Sequence, residues 1–182
     1  MRVISGSARG KRLKKVPGDA TRPIMDRVKE NLFNILGTSV IDSRWLDLFA
    51  GTGQVGIEAL SRGAAQVVFT DTIRAAIRTI HENLEATRLV ERAIVVQTDA
   101  FGYLRSYQRE PFDLIYVAPP QYKGMWLEAL RIIDEQPERL LTAVGLVIVQ
   151  IDPKEYQEVP LARLELTDQR RYGNTMLCFY EQ

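Results

Sequence analysis

The sequence predicts a doubly wound α/β fold: a mostly parallel sheet with helices on both faces and a mixed edge. Three observations carry that prediction. Residues 45–60 read as strand, tight loop and helix, because bulk at Trp45, Leu46, Leu48 and Phe49 halts at glycines and resumes with helical spacing at Val55, Ile57, Ala59 and Leu60. Apolar runs of strand length at 66–70, 93–96, 112–117 and 145–151 are separated by stretches with helical periodicity, as in βαβ units. Two alternating segments, around 162–168 and 174–180 and joined by 169–173, then suit a closing hairpin.

At the start, residues 2–5 and 12–16 read as short strands around the turn 6–10. Seven of the 24 basic side chains fall in residues 1–22, against Asp19 alone, although the net charge of the whole chain is only +1. This basic hairpin, through Arg9, Lys11, Arg12, Lys14 and Lys15, suits a nucleic-acid backbone; the competing explanation is an edge kept charged against aggregation. We therefore separate a basic hairpin extension, 1–20, from a main domain, 21–182. Pro23 opens a helix that Gly37 ends, with Ile24, Val28, Leu32, Ile35 and Leu36 on one face and Asp26, Arg27, Lys29 and Glu30 on the solvated other. Residues 21–27 suit either a ligand lid or solvated charge pairs. Helices follow at 54–62 and 73–88, the second with Ile73, Ile77, Ile80 and Leu84 on one stripe and the sole histidine, His81, in a solvated setting. Trp126, with Leu127, Leu130 and Ile133, suits the core side of a later helix.

Chemistry concentrates at the strand ends. Gly51 and Gly53 allow positive φ and close approach of a ligand to the backbone, and the helix start behind them favours an anionic or carboxylate group. The spacing Gly51-x-Gly53-x-x-Gly56, with Asp71 twenty positions after Gly51, fits dinucleotide and S-adenosylmethionine sites alike, since an acid at the second strand's end accepts from ribose hydroxyls in both. Asp47 weighs toward S-adenosylmethionine, because a carboxylate there meets an ammonium well and repels a pyrophosphate. Asp99, after the third strand, suits either an adenine amine or the cap of the next helix. The stiff turn at Ala118, Pro119, Pro120, Gln121 and Tyr122, with Tyr116 and Trp126 nearby, suits a base-stacking pocket.

With 182 residues, 46% hydrophobic and 26% charged, the chain suits one domain with a substantial core. It has no apolar run of membrane-spanning length, no signal-peptide pattern, and a lone Cys178, so a cytoplasmic location is expected. No cluster of metal-ligating residues is evident, and no metal is expected.

Thr21-Arg22-Pro23 with Asp26-Arg27-Val28-Lys29-Glu30, Leu46-Asp47-Leu48-Phe49-Ala50-Gly51-Thr52-Gly53 and the Pro119-Pro120 turn together resemble the RsmD family. These are bacterial S-adenosylmethionine-dependent methyltransferases of a guanine N2 in 16S ribosomal RNA. The resemblance covers nearly the whole chain and implies a seven-stranded class I methyltransferase sheet whose last strand is antiparallel. It implies that Asp47, Gly51 and Gly53 surround the methionyl group, Asp71 binds ribose, Asp99 and Ala100 approach adenine, and the segment from Arg22 to Arg27 closes over the cofactor. The family's substrate turn usually reads Asp or Asn, Pro, Pro, then Phe or Tyr; here the matching residues are Ala118, Pro119, Pro120 and Gln121. With no acceptor side chain at Ala118, the carbonyls of Ala118 and Pro119 are the expected acceptors for the amine and Tyr122 the stacking face. The implied partner is small-subunit rRNA or an assembling ribosomal particle, engaged by a monomer. A non-catalytic RNA-binding protein and an NAD-dependent oxidoreductase are the competing functions.

Overall fold

The computed structural model describes residues 1–18 and 23–182. Seven strands form one sheet: β1 (Arg44–Asp47), β2 (Gln66–Asp71), β3 (Ala93–Gln97), β4 (Phe112–Val117), β5 (Leu141–Ile151), β6 (Glu165–Tyr172) and β7 (Thr175–Glu181). Their order is β3-β2-β1-β4-β5-β7-β6, with β1 to β5 parallel and β7 antiparallel to both its neighbours. The expected doubly wound, mixed sheet is therefore present.

Helices cover both faces: α1 (Asp26–Leu36), α2 (Gln54–Ser61) and α3 (Arg74–Thr87) on one, α4 (Ala100–Ser106), α5 (Met125–Glu135) and α6 (Pro137–Leu140) on the other. Strand alternation assigns each side chain to a face. Trp45, Leu114 and Tyr116 enter the first core, whereas Leu46, Ile115 and Val117 enter the second. Trp126 is buried in the second, as its spacing indicates.

The structure moves several expected boundaries. Residues 2–5 and 12–16 make a single bridge, Arg2 with Arg12, instead of two strands. The reason is competition: the Ile4 and Ser5 amides donate to the Glu58 carboxylate at 2.9 and 3.0 Å instead of to a partner strand. The helix expected from Pro23 begins at Asp26, because Met25 is still extended with ψ 146°. The closing hairpin turns at Gly173 and Asn174 rather than across 169–173, so Arg170, Arg171 and Tyr172 belong to β6.

Two stripe assignments also change. Ile35 and Ile73 are exposed, while Phe33 and Ala76 take the buried positions. Lys29, expected on the solvated face of α1, is fully buried. Its Nζ lies 3.5 Å from Glu58 Oε2 and donates to the Arg2 carbonyl at 2.6 Å and to Gln54 Oε1 at 3.3 Å. All eight residues of α2 are buried, because the sheet covers one side and the basic arm the other. Among the described residues no helix is long and apolar enough to cross a membrane.

Glu58 compensates the Lys29 ammonium and also holds the arm. Glu58→Ala should cost about 3–5 kcal/mol in denaturant unfolding, since it leaves Lys29 buried without its counter-charge. Hydrogen exchange at Ile4 and Ser5 should accelerate in the same variant.

Candidate active site

The carboxyl ends of the parallel strands open into a cavity of about 440 Å³. Its wall is set by how the loop after β1 folds. Gly51 and Gly53 have φ of 56° and 78°, and Gly53 closes the turn by donating to the Ala50 carbonyl at 2.7 Å. Gly56 serves a different end. A Cβ there would lie 2.3 Å from the Phe69 ring, so this third glycine lets α2 lie tightly on β2.

Three carboxylates line the cavity. Asp47 is 2% exposed and accepts from the Gly56 amide at 3.2 Å. Burial pushes its pKa up to about 7; the Gly56 amide opposes this and the Asp71 charge adds to it. Asp71 accepts from Gly51 N and Ile73 N, both at 2.9 Å, and so ties β2 to the glycine loop. Asp99 caps α4, accepting from Gly102 N at 2.7 Å, and it also faces the cavity. The cap anticipated for this residue is thus formed, and its place on the cavity wall leaves the adenine role open as well.

Asp47, Gly51, Asp71, Asp99 and Ala100 line the cavity together with Ala118, Pro119 and Pro120. Gly53 lies behind the wall, its Cβ direction facing Ile80 and Phe69. Tyr122 is outside the lining: it is 62% exposed with φ 60°, its amide donates to Glu155 Oε1 and its hydroxyl to Asp152 Oδ2, each at 2.7 Å. Pro23 and Ile24 roof the loop end, whereas the expected lid residue Arg22 falls outside the described residues. Arg9, Lys11, Arg12, Lys14 and Lys15 are all exposed, while Val3, Ala8, Leu13 and Val16 point inward. Lys14 forms an ion pair with Glu82 at 2.9 Å. His81 is exposed, as its surroundings in sequence indicate.

Sequence reasoning overlooked Gln150 and Thr175, which complete the cavity wall on β5 and β7. A signal for the first was present: Gln150 is the one polar side chain in the apolar run 146–151.

A sequence profile described as "Conserved hypothetical protein 95" matches residues 1–181. YlbH of Bacillus subtilis (strain 168), named as an rRNA methyltransferase, is 39% identical over 185 residues, spanning 100% of this chain and 99% of its own. Ribosomal RNA small subunit methyltransferase D of Escherichia coli (strain K12) is 36% identical over 135 residues, covering 74% of this chain and 67% of its own. This chain belongs to the RsmD family. The solved structure of yhhF from Escherichia coli, 31% identical, superposes on this RsmD-family chain with a TM-score of 0.87, over 100% of this chain and 97% of that one.

The electrostatics of the cavity fit the ammonium of S-adenosylmethionine. Among the described residues no cation pairs with Asp47, so the cavity presents a buried, uncompensated acid to whatever enters. An ammonium is the group that would stabilise its charge. Because the folded pKa is raised, burial of Asp47 is without penalty below its unfolded value near 3.8, and the fold loses that advantage as pH rises through about 7. Asp47→Asn should therefore stabilise the ligand-free protein by roughly 1–3 kcal/mol at pH 8, the gain vanishing toward pH 4 in thermal or denaturant melts. In the unmodified protein, affinity for S-adenosylmethionine should fall as pH drops below about 7, where the acid becomes neutral, with calorimetry reading the linked proton.

Proposed function

We propose that this chain transfers a methyl group from S-adenosylmethionine to the exocyclic N2 amine of a guanine in small-subunit rRNA, acting as a cytoplasmic monomer on RNA or an assembling ribosomal particle. The observation that carries the reading is one cavity lined both by the glycine loop with its acids and by the Pro-Pro turn. The name of the Escherichia coli relative supports the substrate class, and the fold is shared with SMU.776, a structure complexed with SAH. The dinucleotide spacing has another explanation here, since Gly56 is required by its contact with Phe69.

When bound, S-adenosylmethionine supplies an electrophilic methyl group and leaves as S-adenosylhomocysteine, the methylated amine giving its extra proton to water, so no metal or covalent nucleophile is required of the protein. Asp47 holds the methionyl ammonium, Asp71 the ribose hydroxyls, and Asp99 with Ala100 the adenine. A guanine amine donates its lone pair into the ring, so it must be held in line with its hydrogens accepted, which restores lone-pair character. The Ala118 and Pro119 carbonyls provide acceptors, and Tyr122 offers a face to a base displaced from its stack. Arg9, Lys11, Arg12, Lys14 and Lys15 follow the RNA backbone.

Labelled S-adenosylmethionine with unmethylated small-subunit RNA or particles, followed by mass identification of the base, tests the reading; label on guanine N2 is expected. Label on another atom, or none, would overturn it. Asp71→Ala should weaken cofactor binding by about 1–3 kcal/mol. Replacing Arg9, Lys11 and Arg12 by alanine should lower RNA affinity and flatten its salt slope by about 2 to 3; an unchanged slope would leave the arm with a structural role alone.

A further inference from the structure

The Pro-Pro turn carries no side-chain acceptor at Ala118, yet one stands on the next strand. β4 and β5 are paired in parallel with Tyr116 beside Ile148 and Val117 beside Val149. The pairing ends there; the same register carried one residue on brings Gln150 to the side of Ala118, at about the 4.8 Å spacing of neighbouring strands, and both residues line the cavity. Parallel neighbours in register point to the same face, and Tyr116 and Ile148 share the first core, against which Ala118 also packs. Asp47, paired in register with Tyr116 on β1, is on this face too. Asp47 and Tyr116 thus share one face of the sheet with Gln150 two positions further along, and these three and Ala118 all line the cavity.

Gln150 is aimed by its neighbour. The Tyr116 hydroxyl donates to Gln150 Oε1, and burial, reinforced by the Asp47 charge, holds that phenol protonated far above neutral pH. With Oε1 fixed as the acceptor, a second lone pair remains on it, and Nε2 has no partner among the described residues. A primary carboxamide so placed is complementary to an amine beside a ring nitrogen: the oxygen accepts an amine hydrogen and the nitrogen donates to the ring nitrogen. On guanine that edge is N2 with N3.

We propose that Gln150 orients the acceptor base, its carboxamide pairing with the N2 amine and N3 of guanine and taking the place of a side-chain acceptor at position 118. This rests on the reading of the chain as a guanine-N2 methyltransferase. The two amine hydrogens then have two acceptors, Gln150 Oε1 and a carbonyl of the Pro-Pro turn, and the nitrogen lone pair is left directed at the methyl group. Tyr116 is a positioning residue that acts through Gln150.

The test uses the full chain saturated with S-adenosylhomocysteine and compares guanosine 5′-monophosphate with inosine 5′-monophosphate, which lacks the N2 amine, by ligand-observed NMR. The wild-type chain should prefer the guanosine nucleotide by roughly 3- to 10-fold, as one hydrogen bond allows. Gln150→Ala should lose that preference while keeping its affinity for S-adenosylhomocysteine, which also verifies folding; Ala118→Asn in the same background should restore it. Tyr116→Phe should lose part of it. In methyl transfer to unmethylated small-subunit RNA, Gln150→Ala should lower kcat by about 10- to 100-fold. A Gln150→Ala chain that keeps both its kcat and its preference for guanosine overturns this inference alone. So does one whose only defect is weaker S-adenosylhomocysteine binding, which would put Gln150 on the cofactor. A wild-type chain that binds S-adenosylhomocysteine but never yields N2-methylguanine brings down the underlying reading as well.

Discussion

A single buried carboxylate holds the first face of this protein together. Glu58, fully buried on α2, faces Lys29 from α1 and accepts from Arg62 Nε at 2.8 Å, while its two oxygens also receive the Ile4 and Ser5 amides of the basic arm. Burial lowers the Lys29 pKa and the Glu58 charge works against that, so the ammonium depends on this partner. Gln54 extends the network: its Oε1 accepts from Lys29 and its Nε2 donates to the Ile24 carbonyl at 3.2 Å, fixing a residue of the cavity roof. A helix buried on every side has no solvated face on which to leave a charge, so the acid and its partners stay satisfied inside.

A second bridge reaches the glycine loop from the same arm. Asn83 on α3 accepts from Lys14 N at 2.7 Å and donates to the carbonyls of Lys14 and Thr52 at 3.1 and 3.0 Å. One amide thereby joins the basic arm to the turn that shapes the cavity wall. Asp71 fastens the other side of that turn through Gly51 N. The loop is held from several directions, as a preorganised binding wall requires.

The fold was legible in the sequence because its signals are local. Glycines after a bulky run, apolar stretches of strand length and period-two alternation at the end give the strands and their approximate limits without any long-range information. Legibility failed where a distant group intervened. Nothing in residues 2–5 shows that Glu58, more than fifty positions away, captures two of their amides, and nothing around Lys29 shows that an acid awaits it in the core. Asp47, Gly51, Asp71 and Asp99 could be named because strand ends in such sheets converge on one crevice. Gln150 could not, since its relevance comes from the β4–β5 register that brings it to the cavity with Ala118, a property of paired strands and not of either segment alone.

The sheet order divides the cavity between two groups of strands. The loop and acids come from the ends of β1, β2 and β3, whereas Ala118, Gln150 and Thr175 come from β4, β5 and β7 on the other side. No hinge separates the halves; the sheet's hydrogen bonds run straight across from β1 to β4. In the proposed function, the seat of the methyl donor can stay fixed while the opposite strand ends are rewritten one residue at a time. With Gln150 in the role proposed for it, a polar group missing from one strand end is supplied by its neighbour, and acceptor preference becomes a trait that can change without disturbing the rest of the sheet.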